Sequence, residues 1–263
     1  MIEIGKLTYA YKGRTVLKDA SFKVNNGKIY GIFGLKASGK STLLSLMAGA
    51  REAQEGVIRI NGFDLRREPI PAKRCLGYCP QNASFYPSMT VYELLDLVAA
   101  AKAVREDRRF IAVHELMETY ALEELRDRRL SRLTPAQAFR LKLAQALVGG
   151  SEIILLDAPT EGLSYSDARE ARELIRELAE KGKTVFLATA SAEEVAELAH
   201  EIMLLRNGSL SAPVTAEELL AEYRLLECSS EESLDETETA LLDALGKGVT
   251  HTNDQTEEKE EEA

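Results

Sequence analysis

One short segment of the sequence has the residue types and the spacing needed to bind phosphate. It matches the pattern G-x-x-x-x-G-K-S, and its residues are Gly34, Leu35, Lys36, Ala37, Ser38, Gly39, Lys40 and Ser41. Glycines let backbone amides approach phosphate oxygens, and a helix that starts at the end of the segment adds positive potential. Lys40 would reach the β- and γ-phosphates, and the Ser41 hydroxyl would hold Mg²⁺. We therefore predict a nucleotide site built on this phosphate loop (residues 34–41) and the adjoining Thr42.

A second candidate group is a carboxylate at the end of an apolar segment. Residues 153–156 are Ile, Ile, Leu and Leu, and Asp157 follows them. In proteins with a phosphate loop, an aspartate in this position faces the metal from a neighbouring strand. Because many buried strands end in a polar turn, Asp157 indicates a metal ligand only in combination with the phosphate loop.

The elements that must position these residues alternate between strands and helices. Apolar patterns predict strands at about 2–4, 20–24, 28–33, 57–60, 76–79, 153–156, 185–187 and 202–205, and helices at 41–49, 166–181 and 215–226. Between about residues 87 and 147 the apolar residues recur with a helical period. This order predicts an α/β fold with a parallel sheet and an inserted helical block.

The distribution of charge separates a neutral body from an acidic tail. The 263 residues include 43 acids and 33 bases, a net charge of −10, and residues 229–263 hold 12 acids and 2 bases. Residues 1–228 are therefore neutral overall, which removes the electrostatic case for binding nucleic acid or an anionic membrane surface. The tail is too polar to bury a core, so we predict that residues 229–263 are disordered.

Neither secretion nor membrane insertion is expected. The longest apolar runs fall far short of a membrane span, and we expect neither a signal peptide nor an anchor at the N-terminus. Three cysteines, Cys75, Cys79 and Cys228, cannot form a disulfide framework, and the spacing of the first two does not suit a metal pair. We expect buried thiols in a reducing cytosol.

In their order, these motifs resemble those of the ATP-binding subunit of an ABC transporter over about residues 1–210. Tyr11 lies where that family stacks an aromatic ring on adenine. Gln81 resembles the glutamine of the Q-loop, which senses Mg²⁺ and contacts the membrane subunit. Residues 157–164 (DAPTEGLS) overlay the family's D-E-P-T-x-G-L-D, and residues 140–147 resemble the helix after its signature motif.

The resemblance implies a fold, a ligand and partners. The fold would be a P-loop NTPase (RecA-like) α/β core with an antiparallel β portion and a helical subdomain at about 87–147, within a nucleotide-binding domain of residues 1–228. The ligand would be ATP with Mg²⁺, and Ser41, Gln81 and Asp157 would hold the metal. The protein would be cytoplasmic and attached to the inner face of the membrane through an integral membrane permease subunit.

Several positions depart from the family pattern, and the most consequential of them serve hydrolysis. Ala158 replaces the catalytic glutamate, which orients or deprotonates the attacking water, and Ala190 replaces the switch-loop histidine, which contacts the γ-phosphate. Loss of a positioned general base typically slows a reaction about 10²–10⁴-fold. Ser164 replaces the last aspartate of the D-loop, and Lys36 and Ala37 replace asparagine and glycine in the phosphate loop.

The signature motif, L-S-G-G-Q in the family, is also altered. It reads Leu133, Thr134, Pro135, Ala136 and Gln137, and the last four would face the partner's nucleotide. Pro135 has no amide hydrogen to donate to the γ-phosphate, and Ala136 adds a methyl group where close backbone approach is expected. Proline suits the first turn of a helix, so we expect the following helix to form. Binding groups are kept and hydrolytic groups are lost, which predicts a degenerate ATPase.

Members of this family work as head-to-tail dimers in which each ATP lies between one chain's phosphate loop and the other's signature motif. A homodimer of this chain would contain two impaired sites, so we favour a heterodimer with a competent ATP-binding paralogue. Two alternatives stay open: an active ATPase whose base is Glu161, and a non-hydrolysing ATP-sensing or scaffold subunit. Soluble ABC proteins of translation or DNA repair are disfavoured, because neither a second cassette nor a long coiled-coil insertion is present. The transported substrate stays open.

Overall fold

The computed structural model describes residues 1–82 and 86–221, which form two β-sheets and the helices that pack on them. The strands are β1 (Ile2–Tyr11), β2 (Arg14–Val24), β3 (Ile29–Phe33), β4 (Glu55–Ile60), β5 (Phe63–Asp64), β6 (Leu76–Cys79), β7 (Ile153–Asp157), β8 (Thr184–Thr189), β9 (Glu201–Arg206) and β10 (Ser209–Leu210). The helices are α1 (Lys40–Met47), α2 (Pro69–Arg74), α3 (Val91–Ala101), α4 (Glu106–Thr119), α5 (Pro135–Leu147), α6 (Tyr165–Glu180) and α7 (Ala192–Leu198). The predicted tail at 229–263, the end of the predicted helix at 226 and Cys228 lie outside the described residues.

The larger sheet forms the centre of the fold. Its strand order is β10-β9-β3-β8-β7-β6, and the five strands from β9 to β6 run parallel. Every residue of β3, β7 and β8 is buried, because both faces of a parallel sheet are covered by other layers. This arrangement confirms the predicted α/β fold with a parallel sheet.

Alternate residues of the central strands enter two separate apolar cores. Ile154 and Leu156 point to the core that contains helices α5, α6 and α7. Ile153 and Leu155 point to the core that contains α1 and the smaller sheet. Helix α1 is therefore held between two sheets, and the loop that precedes it is supported from both sides.

The smaller sheet is antiparallel, with the strand order β2-β1-β4-β5. Its buried side chains include Ile2, Leu7 and Leu17, which pack toward α1. The predicted stop after residue 60 is confirmed, since Asn61 and Gly62 have φ of +49° and +88° in the turn between β4 and β5. This sheet is the predicted antiparallel β portion.

Between residues 87 and 147, where the sequence predicts a helical block, the structure contains α3, α4, two short 3₁₀ turns and α5. Thr90 starts α3 with a capping box, because its hydroxyl accepts from the amide of Glu93 and its own amide donates to the Glu93 carboxylate. The block packs closely on the sheet edge at β6. A Cβ atom on Gly77 would lie 2.2 Å from the carbonyl oxygen of Ala146 in α5, so only glycine fits there.

Two helices were not predicted, and several boundaries differ; the largest differences are in β1 and β2, which are longer than the strands predicted at 2–4 and 20–24. Helices α2 and α7 have six and seven residues, which is too short for a helical period to appear in the sequence. Helix α1 ends at Met47 rather than at residue 49, because Gly49 has a φ of +61° and leaves the helical conformation. Where the sequence predicts a helix from residue 215, Thr215 and Glu218 form a capping box, with hydrogen bonds of 2.7 and 3.2 Å.

Two kinds of feature were searched for in the described part of the chain, namely a membrane-spanning helix and a cluster of metal-binding side chains. Within residues 1–82 and 86–221, no helix is long and apolar enough to cross a membrane. In the same ranges, no group of three or more His, Cys, Asp or Glu side chains is arranged to hold a metal ion.

Cys79 is buried, its Sγ lies 3.2 Å from the Lys142 carbonyl oxygen, and burial raises the pKa of its thiol to about 12. Cys75 is only partly buried.

One buried lysine ties the helical block to the edge of the larger sheet. Lys102, at the end of α3, donates through Nζ to the Leu76 carbonyl at 2.8 Å and to the Ser151 hydroxyl at 2.5 Å. Burial lowers the pKa of this ammonium to about 8. Between pH 8 and 10.5 the unfolded chain therefore keeps a proton that the folded chain releases, so this group makes stability rise with pH in that window.

We predict that Lys102→Met removes this rise. From pH 8 to pH 10, the unfolding free energy of the wild type should increase relative to that of the variant by on the order of 1 kcal/mol. The variant should still fold, since the Ser151 hydroxyl itself donates to the Leu76 carbonyl at 3.1 Å. Urea unfolding at several pH values measures the difference, and Lys23→Met, at an exposed position in β2, is the control. A constant difference between wild type and Lys102→Met from pH 7 to 10 would contradict the prediction.

Candidate nucleotide-binding site

A cavity of about 900 Å³ lies beside the phosphate loop. It is lined by residues 35–42, by Tyr11, Arg14, Thr15 and Val16, and by residues 205–208. The cavity thus contains nine of the predicted nucleotide-binding residues, namely Tyr11, Leu35, Lys36, Ala37, Ser38, Gly39, Lys40, Ser41 and Thr42. Its volume suits a ligand of nucleotide size. The sequence patterns did not point to Arg14, Thr15 or Val16, which come to the site through the fold.

The phosphate loop is held together by the side chain of its own lysine. The Nζ atom of Lys40 donates to the carbonyl oxygens of Gly34 at 2.5 Å and of Leu35 at 2.8 Å. The Lys40 residue is only 9% exposed, so its positive charge is concentrated within the loop. The loop also closes on itself through a bond from the Ser38 amide to the Leu35 carbonyl, at 3.1 Å.

Two residues of the loop adopt left-handed backbone conformations. Gly39, which starts α1, has a φ of +109°. Ala37 has a φ of +62°, which costs a residue with a side chain on the order of 1 kcal/mol. At this position the family pattern has glycine, which adopts that conformation freely. The loop therefore keeps the backbone geometry of a phosphate loop in spite of the substitution.

Ser41, in the first turn of α1, meets Asp157 at the end of β7. The Ser41 hydroxyl donates to Oδ1 of Asp157 at 3.0 Å. Asp157 is 5% exposed, and this burial raises the pKa of its carboxyl, against the opposing effects of the Ser41 hydrogen bond and the Lys40 charge. A buried carboxylate and a hydroxyl are oxygen donors of the kind that Mg²⁺ prefers. The pair fits the predicted metal site, because a cation here would relieve the cost of burying the negative charge.

Gln81 lies near Asp157, but its side chain contacts the carboxylate of Glu161. Its Nε2 donates to Oε2 of Glu161 at 2.6 Å, while its backbone amide bonds to Asp157. The Lys142 ammonium fixes the segment by donating to the Gln81 carbonyl at 2.9 Å. Gln81, Glu161, Asp157 and Ser41 are therefore neighbours, and the role of Gln81 as a metal ligand stays a prediction.

Ala158 and Ala190, at the predicted hydrolytic positions of the family pattern, lie on the same edge of the sheet. Ala158 directly follows Asp157 and has a φ of +46°, and its amide donates to the Ala188 carbonyl at 2.8 Å. Ala190 directly follows β8, whose last residue, Thr189, pairs with Phe33 just before the phosphate loop. Both alanines are thus close in the fold to the loop, and neither side chain can accept a proton.

The signature segment begins helix α5. The Thr134 hydroxyl accepts from the Gln137 amide at 3.3 Å, and the Gln137 side chain accepts from the Thr134 amide at 3.1 Å. Pro135 occupies the first turn of α5, as expected for a residue without an amide hydrogen. Residues 134–137 do not line the cavity beside the phosphate loop. That they, Ala136 included, face a partner's nucleotide stays a prediction.

Tyr11 lies at the end of β1, at one side of the cavity. The residue is 37% exposed, and its ring packs edge-on against Tyr9, with 5.0 Å between the ring centroids. The guanidinium of Arg51 lies 5.2 Å from the centroid of the Tyr11 ring. The ring is thereby fixed beside the loop, and its stacking on adenine stays a prediction.

Comparisons with known proteins agree with this geometry. Residues 17–161 match the family model described as ABC transporter. The lipopolysaccharide export system ATP-binding protein LptB of Escherichia coli K12 is 31% identical over 222 residues, which cover 82% of this chain and 91% of that protein. The Nod factor export ATP-binding protein I of Paraburkholderia xenovorans is 30% identical over 251 residues, which cover 95% of this chain and 82% of that protein.

A solved structure extends the comparison to three dimensions. It is that of an ATP-binding subunit of an ABC transporter, which is 25% identical and has a TM-score of 0.76, covering 92% of this chain and 99% of its own. This match confirms the predicted P-loop NTPase fold. The chain belongs to the ABC transporter family, as one of its ATP-binding subunits.

Proposed function

We propose that this subunit binds Mg-ATP at a dimer interface and thereby drives or gates transport by a separate membrane permease, with impaired hydrolysis of its own. One contrast carries the proposal. The phosphate and metal groups, Lys40, Ser41 and Asp157, are in bonding contact with the loop and with each other. At the adjoining strand ends Ala158 and Ala190 have only methyl side chains.

Binding would use groups that are already in position. The amides of residues 34–41, the N-terminus of α1 and the Lys40 ammonium supply positive potential for the β- and γ-phosphates. Ser41 and Asp157 would hold Mg²⁺, which when bound neutralises developing charge on the phosphates. The exposed ring of Tyr11 offers an aromatic surface to the base. None of these groups removes a proton from water.

Hydrolysis requires groups that are missing on both sides of a composite site. Without a carboxylate at residue 158 the attacking water is not deprotonated, which slows hydrolysis about 10²–10⁴-fold. Ala190 offers no side-chain contact to the γ-phosphate. On the opposite face, Pro135 cannot donate an amide hydrogen, and loss of one such donor costs about 10²-fold or more.

The proposed partners follow from this asymmetry. A heterodimer with a competent paralogue would keep one site with an intact base, whereas a homodimer would keep none. Family membership supports a cytoplasmic subunit attached to an integral membrane permease, and the two similar proteins above are named as ATP-binding proteins of export systems. A non-hydrolysing ATP-sensing or scaffold subunit would use the same binding groups.

A second candidate function is that of an active ATPase whose general base is Glu161. The observation that favours it is the 2.6 Å hydrogen bond from Gln81 to the Glu161 carboxylate. This bond holds a carboxylate beside Asp157, on the turn in which the Glu161 amide donates to the Ala158 carbonyl at 3.3 Å. Glu161 is exposed, so water can reach it.

We predict that Lys40→Ala weakens binding of Mg-ATP to the isolated protein by at least about tenfold, because it removes the ammonium that would contact the β- and γ-phosphates. Isothermal titration calorimetry measures it, with Lys23→Ala in β2 as the control. Unchanged affinity in Lys40→Ala would contradict the assignment of the phosphate loop.

We predict that the subunit alone hydrolyses ATP at or near background and that Ala158→Glu does not restore turnover. The new base could lower the barrier by about 3–5 kcal/mol only if the rest of the site were intact, and the defects at Ala190 and Pro135 would remain limiting. Ala158→Glu combined with Ala190→His, mixed with a partner that has an intact signature, should gain activity. Steady-state phosphate release compares the three proteins, and full restoration by the single change would refute this account.

We predict that Glu161→Gln leaves the low basal turnover unchanged. If Glu161 were the base, the wild type would turn over robustly and the amide would slow it by about 10²–10⁴-fold. Phosphate release by the wild type, by Glu161→Gln and by the matched control Glu180→Gln, at the exposed end of α6, separates the two functions. Robust wild-type turnover that only Glu161→Gln removes would establish the second candidate.

A further inference from the structure

A buried carboxylate joins two loops at the nucleotide edge of the larger sheet. Glu194, on α7, is 7% exposed. Its Oε1 accepts from the Thr160 hydroxyl and its Oε2 accepts from the Thr189 hydroxyl, each at 2.5 Å. Charged acceptors of this kind form strong hydrogen bonds, and at a buried position the loss of one is costly.

The two threonines belong to the loops that follow β7 and β8. Thr160 is three residues beyond Asp157, in the turn that contains Ala158 and Glu161. Thr189 is the last residue of β8 and directly precedes Ala190. Because the phosphate loop starts beside Thr189, Glu194 fixes the two segments that flank the predicted position of the γ-phosphate.

Further bonds leave Glu194 and Thr189 little freedom to move. The Glu194 amide donates to the Ser191 hydroxyl at 3.2 Å, and the Ser191 amide donates to the Thr189 hydroxyl at 3.1 Å. The Thr189 hydroxyl thus accepts from one neighbour and donates to Glu194, and the residue is 4% exposed. The end of β8 and the start of α7 form one closed network.

The network extends toward the Q-loop through the next residue of the turn. Glu161 adjoins Thr160 and accepts from Gln81 at 2.6 Å. Two carboxylates, Glu161 and Glu194, therefore link the segments that follow β6, β7 and β8. In this chain Ala190 gives the γ-phosphate no side-chain contact, so recognition at this edge depends on where the backbone of these segments lies.

We propose that Glu194 is a positioning residue that holds the turn after β7 and the loop after β8 in a fixed relative position. It thereby determines how strongly this subunit distinguishes ATP from ADP. The proposal rests on the proposed function, in which the site binds Mg-ATP. The α- and β-phosphates would be held by the phosphate loop, which Glu194 does not contact. Only the part of the affinity that comes from the γ-phosphate depends on the two segments.

The test compares Mg-ATP and Mg-ADP affinities of the full chain by calorimetry. Glu194→Ala should weaken ATP binding roughly three- to thirtyfold and leave ADP binding within about twofold. Glu194→Gln should lose less, because its amide oxygen still accepts from one threonine and its NH₂ group can donate to the rotated Thr160 hydroxyl.

Glu197→Ala is the matched control. Glu197 lies on the same helix and also accepts two strong hydrogen bonds, from Arg172 at 2.6 Å and from Arg176 at 2.5 Å. These bonds lead to α6 and not to the nucleotide edge. The variant should lose stability comparably to Glu194→Ala but keep the wild-type ratio of ATP to ADP affinity.

The outcomes are distinguishable. If the wild type binds neither nucleotide, the proposed function fails. If the wild type binds and Glu194→Ala keeps its ATP to ADP ratio, or loses both affinities equally, Glu194 is merely structural and the positioning role is wrong. Should Glu194→Ala fail to fold, Glu194→Gln decides: hydrogen exchange at 158–161 and 188–191 should slow less on ATP addition than in the wild type, and equal slowing would overturn the proposal.

Discussion

The parallel register of four strands is the constraint on which the rest of the site depends. Phe33 pairs with Thr189, and Asp157 pairs with Ala188, while Cys79 pairs with Leu156. Because parallel neighbours end at the same edge of a sheet, the residues that follow these strands collect there. The phosphate loop, the turn after Asp157, the loop at Ala190 and Gln81 are far apart in sequence and become neighbours only through this register.

Local chemistry made much of this predictable. The phosphate loop, the strand before it and the helix that starts at Pro135 follow from residues within a few positions of each other, and all three are present. The pairing of Ser41 with Asp157 was also expected, because a known loop geometry implies its partner strand. By contrast, the bond between Gln81 and Glu161 joins residues 80 positions apart, and no pattern in either segment indicates it.

Glu194 shows why other parts of the site were not predictable. It lies in a seven-residue helix with two other glutamates, Glu193 and Glu197, and such a segment looks like a solvated surface. Only the packing of α7 on the sheet buries one of the three between two threonine hydroxyls. The sequence shows which residues are acidic, whereas tertiary contacts determine which of them is buried away from water.

In the proposed function, binding and hydrolysis rest on different atoms, so that one can be kept without the other. The charge of Lys40, the Ser41–Asp157 pair and the loop amides would act on the phosphates and the metal, and the backbone holds them whatever residue follows Asp157. Ala158 keeps its amide bond to the Ala188 carbonyl, a contact that needs no side chain. Replacing a base by a methyl group there removes a proton acceptor but leaves the turn in place, and Glu194 still joins that turn to the end of β8. Such a subunit can therefore lose hydrolytic activity while the loops at this edge of the sheet stay connected to one another by hydrogen bonds.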